Sequence, residues 1–577
     1  MEKISASASR AHPVDGGPAL ANQPIANPAP DRSGQMFPRL TPAQIARVAT
    51  LGTRREVEAG EVLFDVGEQN TQLYVVLEGA VRIVRPVGEY EELVVVHEAG
   101  QFTGEINMLS ARRSLVRARV VTSGSVIAVD RDHLPGLIQR DPELSEILLR
   151  AFILRRVALV NDKAQDLVLL GSHHSGSTQR VREFLSRNGQ PFTYQDVETD
   201  LTVQVLLDRF HIGVSEVPVI VCRGGHVLRN PSIEALSSAL GLSSELDPRE
   251  LRDVVVVGAG PAGLAAAVYA ASEGLDVLVL ESTAPGGQAG TSSRIENYLG
   301  FPTGISGQAL SGRALTQAEK FGAEVAIGRS VRRLDCDSRP YRLHLSDDQV
   351  VRTRAIVIAT GARYRKLDLP SVDRFDGAGV FYSATHLEGQ LCRGEEVAIV
   401  GGGNSAGQAA VFLSGLARNV HVLVRGPGLA ESMSRYLIQR IEGTTNITLR
   451  VRSQIEALEG GESLERVLWR HLDNGRRETR DIRSLFLMTG ADPNTSWLEG
   501  CFVLDEKKFV KTGSDLGLED LAAARWPLTR RPYLLETSIP GVFCVGDARS
   551  TSVKRVASAV GEGSICVQLV HRALEGL

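Results

Sequence analysis

Cysteine is scarce in this chain of 577 residues, with only six, at positions 222, 336, 392, 501, 544 and 566. None are spaced as C-x-x-C, and their scatter predicts neither a zinc site nor a disulfide framework, so no metal is expected. An excess of one charge is missing as well. The 64 Lys and Arg nearly balance the 68 Asp and Glu, and the formal net charge of −4 offers no general attraction to nucleic acid or to an anionic membrane. No apolar run approaches the length that crosses a bilayer, and the N-terminus has no hydrophobic stretch of secretory type. These absences argue against nucleic-acid and membrane partners and make a reducing cytoplasm the expected compartment. Residues 1–36, rich in Ala, Pro, Ser and Gly, have no apolar periodicity, and a disordered tail is expected there.

The length leaves room for about three to five domains, and one stretch organises them. Residues 253–281 read DVVVVGAGPAGLAAAVYAASEGLDVLVLE. A buried strand (254–257) runs into a glycine turn, a helix of small apolar residues follows, and a second strand (277–280) ends on Glu281. This is the complete βαβ dinucleotide fingerprint of a Rossmann-like α/β domain. Gly258 permits the sharp turn, Gly260 lets a pyrophosphate approach the backbone, and Gly263 lets helix pack close to strand. The helix N-terminus offers unpaired N–H groups to phosphate, and Glu281 is placed to accept from a ribose hydroxyl. A second copy follows a strand at 396–400: the turn Gly401-Gly402-Gly403-Asn404-Ser405-Ala406, a helix over 407–416, and a strand over 420–424 that ends on Arg425 rather than an acid. An Arg can pair with a 2′-phosphate, which an acid would repel. Gly401, Gly403 and Ala406 are expected to form the pyrophosphate turn, with Asn404 and Ser405 hydrogen-bonding it and the downstream Arg435 assisting Arg425. The pattern predicts an FAD site and an NADPH site, and hence hydride transfer from nicotinamide to flavin.

Three further segments stand in the same order: APGGQAGTSSRIENYLGFP after Glu281, AIVIATGA at 355–362, and GVFCVGDARSTSVKRVASAVGEG at 541–563. With the two fingerprints they closely resemble the low-molecular-weight thioredoxin reductases over nearly all of residues 251–577. The resemblance implies an FAD domain (251–372 and 491–577), an inserted NADPH domain (376–490) and a homodimer formed through the FAD domain. It implies that Gly287, Gln288 and Asn297 contact the flavin and that Thr360 and Gly361 meet the cofactor where the chain leaves the FAD domain. Gly546 and Asp547 match the pair whose carboxylate holds a ribityl hydroxyl, and Arg555-Val556-Ala557 stands where the family has Arg-Gln-Ala.

One departure decides the expected mechanism. The family's redox disulfide is Cys-Ala-Thr-Cys, and this chain has Ser383-Ala384-Thr385-His386. Without sulfur there, electrons on the flavin have no dithiol to pass to, and Cys392 is alone. The expected flow is NADPH to FAD to an external electron acceptor, a protein or a small molecule. His386, in the slot of the cysteine that faces the flavin in relatives, is the candidate to donate or relay a proton near flavin N5, since histidine titrates near neutral pH. The alternatives are a thioredoxin-disulfide reductase, and a nucleotide or redox sensor with little turnover.

Upstream, short apolar strands at 61–64, 72–77, 80–85, 93–97 and 116–121 lie between helices at 42–51 and 141–159, which predicts a small antiparallel β-barrel. VGEQNTQLYVVLEGAVRIV and FTGEINMLSARRSLVRARV resemble the cyclic-nucleotide-binding domain of catabolite activator proteins and kinase regulatory subunits, here over 37–160. The resemblance implies a cyclic nucleotide as effector, with Gly104 and Glu105 in the phosphate cassette, Glu105 on the ribose, and Arg113 or the adjacent Arg112 on the cyclic phosphate. Residues 165–243 follow a βαβαββα order, with strands at 167–170, 192–196, 219–222 and 226–229 and helices at 177–188, 203–210 and 233–240. That order, with Val217-Pro218 at a cis-proline position, resembles glutaredoxin and thioredoxin. The slot of that fold's C-x-x-C holds Ser175-Gly176-Ser177-Thr178, so a structural or docking role is expected. His173 and His174, beside the slot, are expected to be solvated and not ligating.

Overall fold

Alternating apolar residues along long strands build the N-terminal part of the molecule. The protein is seen in a computed structural model that describes residues 32–68, 71–87, 90–104, 114, 116–161, 167–172, 175–197, 216–222, 226–243, 246–461 and 463–576. Helices α1 (Arg32–Met36) and α2 (Pro42–Ala49) precede an antiparallel sheet of β1 (Thr53–Val57), β2 (Val62–Phe64), β3 (Leu73–Val87), β4 (Tyr90–Glu98) and β5 (Arg117–Val129). The order is β1-β5-β3-β4, with β2 on β5. Two expectations need correction. Helix α1 lies inside the segment expected to be disordered; the Met36 carbonyl beside it accepts from Arg155 Nε at 2.9 Å. The strands expected at 72–77 and 80–85 are one strand, because Gly79 at φ 86° makes an irregularity in the pairing with β5 instead of a turn. Helices α3 (Leu134–Arg140) and α4 (Pro142–Asn161) lead out of the sheet. Glu105, Arg112 and Arg113 lie outside the described residues; Gly104 is described, and its carbonyl accepts from Arg155 Nη1 at 2.9 Å.

The middle segment contains β6 (Leu167–Gly171), α5 (Gly176–Arg187), β7 (Thr193–Asp196), β8 (Val219–Cys222), β9 (Val227–Arg229) and α6 (Ile233–Ala239). Its sheet runs β7-β6-β8-β9, with β7 parallel to β6 and the other two neighbours antiparallel. The Val217–Pro218 peptide before β8 is cis. The helix expected over 203–210 and the His173–His174 pair fall outside the described residues.

Beyond it lie β10 (Leu251–Val257), α7 (Pro261–Ser272), β11 (Val277–Glu281), α8 (Gly307–Lys320), β12 (Glu324–Ile327), β13 (Val331–Asp335), β14 (Tyr341–Leu345) and β15 (Val350–Ile358). They form the sheet β12-β11-β10-β15-β14-β13, joined by the late strand β26 (Val542–Cys544) on β15. Val254 to Val257 are nearly inaccessible at its centre. Alanines of α7 pack with Ala559, Val567 and Val570 of the C-terminal helix (Val556–Gly576). Gly258 turns at φ 104°, and a Cβ on Gly263 would lie 1.9 Å from the Gly258 carbonyl oxygen, so no side chain fits there.

A short pair, β16 (Ala362–Tyr364) with β25 (Ala491–Pro493), carries the chain into and out of the second nucleotide unit. That unit has the parallel sheet β17-β24-β18-β19-β20, built from Val380–Phe381, Ser484–Leu487, Glu396–Val400, Asn419–Leu423 and Ile447–Arg450. Its first connecting helix, Asn404–Ser414, begins at Asn404. Asn404, Ser405 and Ala406, expected in the turn, are therefore the first helical residues. A three-stranded antiparallel sheet over 453–480 completes the unit.

The cysteine pattern held one feature that spacing could not show. Cys336 and Cys501 form a disulfide across a sequence separation of 165, with their Cα atoms 6.0 Å apart. The fold brings together the end of β13 and the chain after β25, a pairing that no local spacing encodes. No helix among the described residues is long and apolar enough to cross a membrane. Among those residues no group of three or more His, Cys, Asp and Glu side chains could hold a metal ion.

Candidate functional site

The first glycine turn and the start of the second fingerprint helix both line one cavity of about 1510 Å³. On the side of β10 the fingerprint loop is fixed by Glu281. Its carboxylate is buried and accepts from Ala259 N at 2.8 Å, Thr283 N at 2.8 Å and Ala284 N at 3.1 Å. Gly258, Gly260 and Glu281 line the cavity, whereas Gly263 lies behind them in the strand–helix contact. Helix α7 follows Gly260, whose N-cap position has no side-chain cap, so its first N–H groups are left for a ligand. Gly287 comes close to the same turn: a Cβ on it would lie 3.1 Å from Gly260 Cα. Gln288 donates from Nε2 to the Ala362 carbonyl, which ties the Gly-Gly-Gln loop to the first hinge strand. This cradle fits a dinucleotide: bare helix N–H groups, a backbone that approaches closely, and an acid at the end of β11.

The other expected flavin residues meet at the same place. Asn297, Thr360, Gly361, Gly546, Asp547 and Arg555 all line the cavity. Burial pushes the Asp547 carboxyl up, and the charge of Lys554 opposes it. Lys554 Nζ donates to the Asp547 carbonyl at 2.6 Å. Thr360 Oγ1 donates to the Asn494 carbonyl at 2.9 Å, and Asn494 Nδ2 returns a bond to the Thr360 carbonyl at 2.9 Å. These reciprocal bonds cross-link the two hinges beside the cavity.

The second fingerprint contributes less of itself. Asn404 and Ser405 line the cavity, but Gly401, Gly403, Ala406 and Arg425 do not. The helix Asn404–Ser414 also starts without a side-chain cap. Asn404 Oδ1 accepts from Ser434 N at 2.7 Å, which turns this side chain toward its own fold. Arg425 and Arg435 are exposed, and Arg425 forms no ion pair with the described residues. The site thus splits into a closed, satisfied half around Glu281 and an open half around Asn404.

Ser383 lines the cavity, where the sulfur-free tetrad begins. Thr385 caps the short helix α9 (His386–Leu391): its N–H donates to Glu388 Oε2 at 2.8 Å, and its hydroxyl bonds the same oxygen. His386 opens that helix, and its side chain is outside what the structure describes. Glu388 lines the cavity, and burial raises its carboxyl above the usual range. Sequence reasoning missed Glu388, Tyr364, Lys554, Asn494 and, from the middle segment, Arg187, all of which line the cavity. Tyr364 ends the hinge strand that begins at the last residue of the A-T-G-A segment and Asn494 directly follows the second hinge strand, positions that could have marked them. Arg187 carries no local signal, because its place depends on how one sheet packs against another.

The pyridine nucleotide-disulphide oxidoreductase family profile matches residues 252–563, and the cyclic nucleotide-binding domain profile matches residues 54–141. Thioredoxin reductase of Escherichia coli O157:H7 is 34% identical over 328 residues, which cover 56% of this chain and 96% of that protein. NADPH-dependent thioredoxin reductase 3 of Arabidopsis thaliana is 31% identical over 369 residues, covering 61% of this chain and 65% of that protein. Among solved structures, Lactococcus lactis thioredoxin reductase in its FR conformation aligns with a TM-score of 0.50 at 29% identity, over 56% of this chain and 100% of that one.

Proposed function

The chain belongs to the pyridine nucleotide-disulphide oxidoreductase family, and from that premise we propose that it passes the electrons of NADPH through FAD to an external acceptor without an active-site disulfide. It is an NADPH-dependent flavin oxidoreductase with FAD and NADPH as its cofactors and a cyclic nucleotide-binding domain at its N-terminal side. The observation that carries the disulfide-free reading is the placement of the cysteines. None of the six lines the cavity. Cys392, the nearest in sequence to the tetrad, is buried, and burial pushes its thiol up to about 11, so it holds its proton at neutral pH. Cys544 and Cys566 are buried with thiols raised further in the same direction.

Bound FAD supplies the two-electron relay between nicotinamide and acceptor. The chain's own residues position it. Glu281 accepts from a ribose hydroxyl while three backbone N–H groups hold its carboxylate in place. The start of α7 and the start of the helix at Asn404 offer N–H groups to the two pyrophosphates. Asp547 takes a ribityl hydroxyl, Arg425 pairs with the 2′-phosphate, and His386 donates or relays a proton on the acceptor side. The middle segment is a thioredoxin-like fold that lacks the thiols, and residues 37–160 take a cyclic nucleotide that modulates turnover, a reading supported by the match over 54–141.

The test is anaerobic stopped flow of the FAD-loaded protein. NADPH is expected to bleach the flavin, and alkylating every accessible thiol beforehand is expected to leave acceptor turnover unchanged. Turnover with thioredoxin that disappears on alkylation would replace this reading with the thioredoxin-disulfide reductase activity that the names of the relatives favour. Hydride-transfer kinetics unchanged in saturating cyclic AMP and cyclic GMP would remove those two as kinetic effectors.

A further inference from the structure

The two peptide units that brace Glu281 are themselves held from the middle segment. Thr283 and Ala284 donate their N–H groups to the Glu281 carboxylate at 2.8 Å and 3.1 Å. Their carbonyls are taken by the C-terminal end of α5. Asn188 Nδ2 donates to the Thr283 carbonyl at 3.0 Å, and Arg187 Nη2 donates to the Ala284 carbonyl at 3.3 Å. The same Arg187 nitrogen donates to the Gly287 carbonyl at 2.8 Å. One guanidinium nitrogen thus ties together both ends of the turn Ala284-Pro285-Gly286-Gly287. The family match begins at residue 252, so both donors come from a segment outside it.

That turn lies against the pyrophosphate loop. Gly286 N donates to the Ala259 carbonyl at 2.7 Å, and a Cβ on Gly287 would lie 3.1 Å from Gly260 Cα. Thr283, Gly287 and Arg187 all line the cavity. Two adjacent glycines lose more backbone freedom on ordering than other residues do, so bonds that order them before a ligand arrives strengthen its binding. The donors are held in turn. Arg187 Nη1 meets Glu183 Oε1 at 3.2 Å, Asn188 Nδ2 also donates to the Phe184 carbonyl at 2.8 Å, and Gln308 Nε2 of α8 donates to the Ser186 carbonyl at 3.0 Å. Behind them, Phe184 and Leu185 share a buried cluster with Leu169 of β6 and with Ile327 of β12, the edge strand of the flavin-side sheet. Ser237 Oγ of α6 donates to the Ile327 carbonyl at 2.5 Å.

We propose that the C-terminal end of α5 is part of the FAD cradle. Arg187 is a positioning residue that holds the Ala284–Gly287 turn in shape for the cofactor, Asn188 supports it, and the sulfur-free middle module contributes to the reductase by retaining FAD. The inference rests on the placement of FAD at the first fingerprint. The guanidinium acts through the backbone: it keeps the Thr283 and Ala284 N–H groups turned toward Glu281 and the Gly287 backbone against Gly260, where the pyrophosphate approaches.

The full-length protein is loaded with FAD and diluted stepwise, and the fluorescence of released flavin gives the Kd. Arg187→Met is expected to raise the Kd about 30-fold. Arg187→Lys keeps the charge and a donor but loses the planar fork, and is expected to raise it only about threefold. Excess FAD is expected to restore reduction by NADPH to Arg187→Met, which separates a loosened cradle from a damaged fold. An unchanged Kd in Arg187→Met overturns the inference. So does a loss of binding that Arg187→Lys shares in full or that excess FAD does not reverse. Glu281→Ala, diluted in the same way, tests the reading beneath. FAD held as tightly by Glu281→Ala as by the parent would remove the cofactor from the first fingerprint. Loss of FAD there with an unchanged Kd in Arg187→Met would leave that placement intact and remove α5 alone.

Discussion

Gly258–Gly263 and Gly401–Ala406 follow strands of the same kind and start helices of similar length, yet the two turns are finished differently. The first ends its second strand on Glu281, buried and bonded to three backbone N–H groups. The second leads to Arg425, exposed and without an ion pair among the described residues. In the first, the nearest glycine contacts leave no room for a methyl group, with 1.9 Å between a Cβ on Gly263 and the Gly258 oxygen. In the second, a Cβ on Gly401 would also lie only 2.3 Å from the Met488 carbonyl oxygen, but the position matching Gly263 already has a side chain, Ala406, and a Cβ on Gly403 would meet nothing closer than the Ser432 oxygen at 4.0 Å. A prefolded, self-satisfied turn suits a cofactor that stays, whereas an open turn with a free cation suits a nucleotide that comes and goes.

That contrast predicts a graded set of effects. Glu281→Ala should be the most damaging, because it leaves three backbone N–H groups without their partner. At about 1–3 kcal/mol for each unpaired group, a loss of at least about 3 kcal/mol is expected, together with purification as a colourless protein. A thermal melt and the flavin absorbance check it, and a variant that keeps full flavin content would break the contrast. Gly263→Ala should cost about 2 kcal/mol by overpacking, while Gly403→Ala should stay within about 1 kcal/mol of the parent; denaturant melts of the pair measure the difference. Arg425→Ala should leave stability alone and raise the KM for NADPH about tenfold with that for NADH unchanged. Equal effects on both nucleotides would take the 2′-phosphate away from Arg425.

The smallest effect concerns pH on the open side. The folded state raises the Glu388 carboxyl above its ordinary value of 4.5, so the folded chain holds this proton where the unfolded chain has lost it. The contribution of the group to stability is therefore fully present at low pH and declines as pH rises from about 4.5 toward the folded value. Glu388→Gln should flatten that part of the stability–pH curve and leave the acid limb unchanged, as urea melts at several pH values would show.

Much of this was legible in the sequence. Both βαβ units could be read, and the residues expected at the flavin, Gly263 apart, line one cavity, because their signals are local: a run of valines, a glycine that must turn, an acid at the end of a strand. The long β3 was not, since Gly79 in the sequence signals a turn and in the sheet makes a bulge. The helix start at Asn404 was missed for a similar reason, because a glycine turn and the first helical turn share the same small residues. Arg187, Glu388 and the Cys336–Cys501 pair stayed hidden because each acquires its place from the packing of distant segments. His386 rests on its slot in a motif alone, and its side chain lies outside the described residues.

The Cys336–Cys501 bond gives the chain a covalent topology different from its linear order. It closes a ring that contains both hinge strands and the whole of the second nucleotide unit. The backbone therefore reaches that unit and returns through a neck that is already tied shut. A cut anywhere in the ring opens a loop but releases no fragment. The second nucleotide unit hangs from the rest by its two hinge strands, while the sulfur bond joins the segments on either side of them, so a single cut within the ring leaves those two segments covalently joined.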